Sequence, residues 1–128
     1  MKKTIQSQGG PPAKGPYSHA VACGDLLFVS GQGPVHPQTG EIVHGDLETE
    51  VTLTLKNLET VLKDCGSSLD KVAKITVFLS DIDNFAQFNE IYKRFFKSDF
   101  PARTCVQAGR LPFDMKVEIE AIAACSRR

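Results

Sequence analysis

Neither sign of charge predominates in this 128-residue chain, where Lys plus Arg and Asp plus Glu number 15 each and the pI lies near 6.8. A sequence-tolerant nucleic-acid binder carries a basic stripe whose phosphate contacts release counterions. Here the cations are scattered among acids, so nothing in the charge points to nucleic acid as a partner. Long apolar runs are also missing. The opening "MKKTIQSQGGPPAKGP" has two lysines but not the apolar run of about 7 to 15 residues that a signal peptide needs, and no later run reaches the roughly 20 residues of a membrane-spanning helix. A cytoplasmic protein with no membrane partner is expected. The four cysteines, Cys23, Cys65, Cys105 and Cys125, form no CxxC pair and no Cys/His cluster at zinc spacing. Reduced thiols acting as small hydrophobes are expected, with Cys105 the exception to watch. There is no G-x-S-x-G elbow around Ser30, and Gly31-Gln32-Gly33 is a lone G-x-G followed by proline. No nucleotide site is implied.

What is present is an alternation of strand and helix patterns. A short strand is expected at Thr4–Gln6, followed by a Gly/Pro-rich loop to Tyr17. Apolar runs at Ser18–Cys23 and Leu26–Ser30, split by Gly24-Asp25, form a hairpin. A loop with a minor hairpin around Thr39-Gly40 leads to Asp46, a helix N-cap with Glu48 and Glu50 in the first turn. Val51, Leu55, Leu58, Leu62 and Cys65 then recur at helical spacing until Gly66. "KVAKITVFLS" alternates as a half-buried strand. Asn84 and Gln87 have the spacing of a capping box, ahead of an aromatic stripe of Phe85, Phe88, Tyr92 and Phe95 read as core. Strands at Ala102–Ala108 and Met115–Cys125 complete the chain. Helical crossovers suit parallel strands and hairpins antiparallel ones. The expectation is therefore one α+β domain over residues 1–128, a mixed six-stranded sheet with both helices on one face. Its other face is then either wet or buried by further copies of the chain.

Chemistry concentrates on the last two strands. Residues i and i+2 of a strand share a side at about 6 to 7 Å, so Arg103, Cys105 and Gln107 lie together, as do Glu118 and Glu120. A short turn would make these strands neighbours. Arginine and glutamate then meet either as a salt bridge pinning a sheet edge or subunit contact, or as a substrate site. In the second case Arg103 offers its rigid fork to a carboxylate and a glutamate handles a proton or a water. His19, His36 and His44 have no spacing partner and read as ordinary hydrogen-bonding residues.

Five segments together, "GPYSHAV", "VSGQGPVHPQTGEI", "VAKITVFLSDIDNFAQFNEIY", "FPARTCVQAGRLP" and "KVEIEAIA", resemble the RidA (YjgF/YER057c/UK114) family of enamine/imine deaminases over nearly the whole chain. The resemblance implies a chorismate-mutase-like fold assembled as a homotrimer. It also implies hydrolysis of reactive 2-enamino and 2-imino acids, such as 2-aminoacrylate and 2-iminobutanoate, to 2-oxo acids and ammonia without a cofactor, a role in metabolite damage control. By position, Arg103 matches the carboxylate-holding arginine and Glu118 the residue that orients or activates water. Tyr17, Ser30, Gly31, Asn89 and Cys105 match pocket positions contributed from two subunits, which makes Cys105 a wall and not a nucleophile. Gly33 and Thr104 depart from the family's usual residues beside this pocket. Relatives described as translation inhibitors with ribonuclease activity supply one alternative, and a chaperone-like or carboxylate-binding trimer without turnover another.

Overall fold

The computed structural model describes residues 1–125. Strands β1 (Lys2–Ile5), β2 (Ala20–Cys23) and β3 (Leu26–Gln32) precede helix α1 (Leu47–Asp64). Strand β4 (Val72–Leu79), helix α2 (Phe85–Tyr92), β5 (Ala102–Gln107) and β6 (Val117–Ala124) follow. The six strands form one mixed sheet in the order β1-β2-β3-β6-β4-β5, as expected for this α+β class. Only β4 and β5 pair in parallel, and β6 runs antiparallel between β3 and β4. The crossover through α1 thus joins strands that point the same way but are separated by β6.

Local chemistry accounts for the elements. The Gly24-Asp25 hairpin turns through a glycine at φ 61°, a value that costs glycine little. The minor hairpin around Gly40 closes through a bridge between Val35 and Ile42. Asp46 caps α1 by accepting a 2.8 Å bond from the Thr49 amide, and the helix stops where Gly66 adopts φ 85°. One stripe of α1, including Val51, Leu55, Leu58 and Leu62, is fully buried on β3, β6 and α2. Truncating any of these leucines to alanine is expected to cost about 2–5 kcal/mol.

The second helix differs from its sequence reading. Asn84 makes no capping bond. Asp81 caps a 3-10 turn at Ile82–Asn84 instead, and the α-helix ends at Tyr92, before Phe95. The preceding 3-10 turn carries Asn84 past the extended geometry that a capping side chain needs. Phe88, Tyr92 and Phe96 are buried, whereas Phe85 is 40% exposed. β1 also begins two residues earlier than expected.

The sheet's two faces are unlike. Ile75, Val77, Leu79, Val117, Ile119 and Ala121 point to the helices and are buried. The opposite face carries Leu26, Phe28 and Val106, exposed by 44%, 42% and 41%, and no described residue covers them.

Candidate active site

Arg103 sits on the edge strand β5, in register with Ile75, which places it on the helix-facing side. Its guanidinium carbon lies 4.9 Å from the ring centre of Tyr92, 5.5 Å from Phe85 and 5.7 Å from Phe88, within cation–π range of all three. Among the described residues the guanidinium meets no carboxylate. The salt bridge that strand periodicity offered for it is therefore not formed among those residues. Beside it the Tyr92 hydroxyl and Asn89 Oδ1 are buried without a hydrogen-bond partner. Burial, only partly offset by Arg103, pushes the Tyr92 phenol up to about 12, so this hydroxyl stays neutral. Asn89, Tyr92, Phe100, Pro101 and Arg103 border a cleft of about 420 Å³. Cys105 shares Arg103's side of β5, and burial raises its thiol, with Arg103 opposing. A neutral thiol is a poor nucleophile.

Glu118 belongs to the other face. It pairs with Phe78 on β4 and borders a cleft of about 560 Å³ shared with Tyr17, Ser30, Gly31 and Glu120. The register of β3 on β6 shifts between Val29 and Gln32, and Gly31 lies in this irregularity. A Cβ on Gly31 would collide with the Glu118 carboxylate, so the absent side chain is what admits that group. Burial, then the like charge of Glu120, raises the Glu118 pKa above the usual carboxylate range. No described residue offers it a hydrogen bond. Ser30 is committed structurally, its hydroxyl donating to Ser18 O at 2.6 Å and its amide to His19 O at 3.0 Å. The Tyr17 hydroxyl accepts from the Lys14 amide at 3.1 Å. Buried His19 secures this loop, with Nδ1 accepting from the Ser7 amide at 3.1 Å and Nε2 donating to Pro11 O at 2.6 Å.

The sequence-chosen residues therefore fall into two groups. Tyr17, Ser30, Gly31 and Glu118 gather on the open face, and Asn89, Arg103 and Cys105 on the helix side of the far edge. The expected adjacency of the last two strands is corrected: β4 separates β5 from β6, and Arg103 and Glu118 project from opposite faces. The turn between them includes a 3-10 segment, Pro112–Asp114, with Phe113 and Asp114 both at positive φ, and a tight hairpin does not form.

Sequence reading missed two buried polar anchors on α1. Glu50, read as a dipole-favoured residue, is fully buried and accepts from the Lys116 amide at 2.8 Å and the Gly45 amide at 3.1 Å, with Lys116 Nζ at 3.3 Å. Asn57 donates to Gly33 O and Val35 O at 3.0 and 2.8 Å. Both fix chain segments bordering the Glu118 cleft. Their spacing with Thr54 and Val61 put them on the buried stripe, and that was the available signal.

The chain is thus a one-sheet α+β domain with, among the described residues, an arginine without a carboxylate partner in one cleft and a desolvated glutamate in another. The model of the family described as Endoribonuclease L-PSP matches residues 8–125. The chain belongs to this family, the RidA/YjgF family that its motifs resemble. "Putative reactive intermediate deaminase TdcF" of Escherichia coli is 46% identical over 129 residues, covering 98% of this chain and 99% of that protein. The crystal structure of E. coli TdcF with bound serine matches at a TM-score of 0.90 over 97% of this chain and 99% of that one. A RutC family protein of Pyrococcus horikoshii is 45% identical over 123 residues, 96% of this chain and 98% of that protein. The crystal structure of yeast YEO7 matches at a TM-score of 0.94 and 38% identity, covering 98% of this chain and all of the other.

Proposed function

We propose that this chain hydrolyses reactive 2-imino and 2-enamino acids, such as 2-iminobutanoate and 2-aminoacrylate, to 2-oxo acids and ammonia. The observation that carries this reading is the state of Arg103: a permanent cation, oriented by three rings, with no anion among the described residues to neutralise it. A small carboxylate fits its fork with two parallel hydrogen bonds. Family membership and the deaminase name carried by TdcF support the same direction.

The site is completed by a second copy in a cytoplasmic homotrimer. One protomer supplies Arg103, Asn89 and Cys105, and its neighbour supplies Tyr17, Ser30, Gly31 and Glu118. The location of the two groups on opposite faces supports this arrangement, as does the apolar open face, since exposed apolar area of this kind favours association. An imine carbon is already electrophilic, so catalysis needs fixation, a placed water and a proton path. Arg103 holds the carboxylate while Glu118 takes a proton from water as its oxygen bonds to C2. The C=N electron pair moves to nitrogen, which takes up the proton that Glu118 removed from the water, and a 2-enamino acid enters the same route once a proton adds to C3 and it becomes the imine. The resulting carbinolamine loses ammonia as its hydroxyl becomes the 2-oxo group, so one water is consumed and one ammonia released.

The experiment is an amino acid oxidase reaction that generates 2-iminobutanoate in the presence of purified chain. Faster disappearance of the imine is expected, and an unchanged rate overturns the reading. The family description favours RNA cleavage as a second reading. Cleavage of single-stranded RNA that survives Arg103→Ala would select it, whereas carboxylate binding without turnover would select a non-catalytic or chaperone-like trimer.

A further inference from the structure

The Glu118 cleft has two chemically different ends. Tyr17, Ser30, Glu118 and Glu120 make one end polar. Gly33, Val35, Ile42, Pro112, Phe113 and Met115 supply an apolar wall, and the one charged side chain beside it is Lys14, whose ammonium stands over the Phe113 ring. Val35 and Met115 are buried, yet Phe113 keeps 55% of its surface exposed beside them. Its backbone stands at φ 58°, a region costly for a bulky residue, and Asp114 follows at φ 57°. Two side-chain interactions add to the backbone bonds of this turn: Arg110 grips the Asp114 carboxylate at 2.8 and 3.2 Å, and Lys14 Nζ lies 5.7 Å over the Phe113 ring. A strained backbone is thus maintained to stand an aromatic ring at the mouth of an apolar recess. Gly33 keeps the recess open, because a Cβ there would come within 2.5 Å of Met115 Sδ.

We infer that this recess is a side-chain subsite that makes the chain prefer 2-imino acids with branched or aromatic side chains over three- and four-carbon ones. The inference rests on the deaminase reading and adds the substrate class. In a single protomer the cleft holds about 560 Å³, within the range of small-molecule sites, and its apolar wall lies beyond the residues that a three-carbon acid at Glu118 needs. A small substrate bound at Glu118 leaves the recess to water. A leucine- or phenylalanine-derived side chain fills it, and each added methylene in such a pocket is worth roughly tenfold or more in discrimination. The occupant is anchored at the polar end and reaches the recess through its Cβ substituent.

The test uses the full chain and imines generated in situ from alanine, leucine and phenylalanine. Titration calorimetry of the matching 2-oxo acids runs in parallel. Wild-type kcat/KM should rise at least tenfold from the alanine-derived to the larger imines. Phe113→Ala, at an exposed position, should remove most of that gain through KM on the two larger imines. Turnover without any size preference, or an equal loss on all three substrates in the variant, overturns the subsite and leaves the deaminase reading standing. If no imine is turned over but the larger 2-oxo acids bind more tightly and lose that advantage in Phe113→Ala, the subsite stands and the deaminase reading falls. Absence of both turnover and graded binding overturns the two together.

Discussion

Arg103 on β5 and Glu118 on β6 point to opposite faces of one sheet, with β4 between their strands. Neither has an ion-pair partner among the described residues. A cation and a carboxylate that both remain unpaired in one copy can complete each other's chemistry across two.

Replacing Arg103 by lysine keeps the charge and loses the fork. Hydrogen bonds to a charged group are worth about 1.5–3 kcal/mol, so KM for a 2-imino acid should rise roughly ten- to a hundredfold in Arg103→Lys. Steady-state kinetics with imine generated in situ read this directly. An unchanged KM would show that the fork does not hold the substrate.

Glu118 should set the acid limb of the pH profile. As the ionised base it loses activity when pH falls through its raised pKa, so the limb lies above the usual carboxylate range. Glu120→Gln removes a like charge, which should move that limb to lower pH. The stability linkage has the opposite sense: a raised folded-state pKa favours the fold below the unfolded pKa, and that contribution is lost as pH rises through the folded value. Glu118→Gln should therefore raise Tm at neutral pH relative to wild type and have little effect in acid. Calorimetric scans at two pH values check this.

Gly31→Ala puts a methyl group where the Glu118 carboxylate stands. The expected outcome is a folded protein with the carboxylate displaced and kcat lowered by an order of magnitude or more, since small misplacements at a reacting centre are expensive. Near-wild-type kcat with an unchanged circular dichroism spectrum would mean that Glu118's position is immaterial.

How much of this was legible in the sequence depended on the range of the interaction. The α1 cap at Asp46, the stop at Gly66 and the alternation of β4 and β6 arise from local rules, and all were legible. The Asn84 box failed because a competing local cap, Asp81, started a 3-10 turn first. Strand order is non-local. Period-two alternation placed Arg103 with Cys105 and Glu118 with Glu120, but it carries no information about which face each set takes, or that β6 would insert between β3 and β4. The resemblance supplied the site residues, while their division between two faces came only from the sheet register. Glu50 was visible as a polar residue on an apolar stripe, but its partners, the Lys116 and Gly45 amides, were not.

Glu50 offers a test of that structural reading. Glu50→Ala strips two backbone amides and Lys116 Nζ of a buried acceptor, a loss of about 3 kcal/mol, or a Tm drop on the order of 10 °C for a chain of this size. Thermal unfolding that matches wild type would remove Glu50 as the anchor of the β6 entry.

A site shared between copies should be recoverable by subunit complementation. Arg103→Ala and Glu118→Gln, each expected to be inactive alone, are unfolded, mixed in equal amounts and refolded, and imine hydrolysis is measured. With random mixing, half of the interfaces carry an intact Arg103 and half of those meet an intact Glu118, so about a quarter of wild-type activity should return. If the mixture forms mixed oligomers yet stays as inactive as its components, Arg103 and Glu118 do not act across an interface.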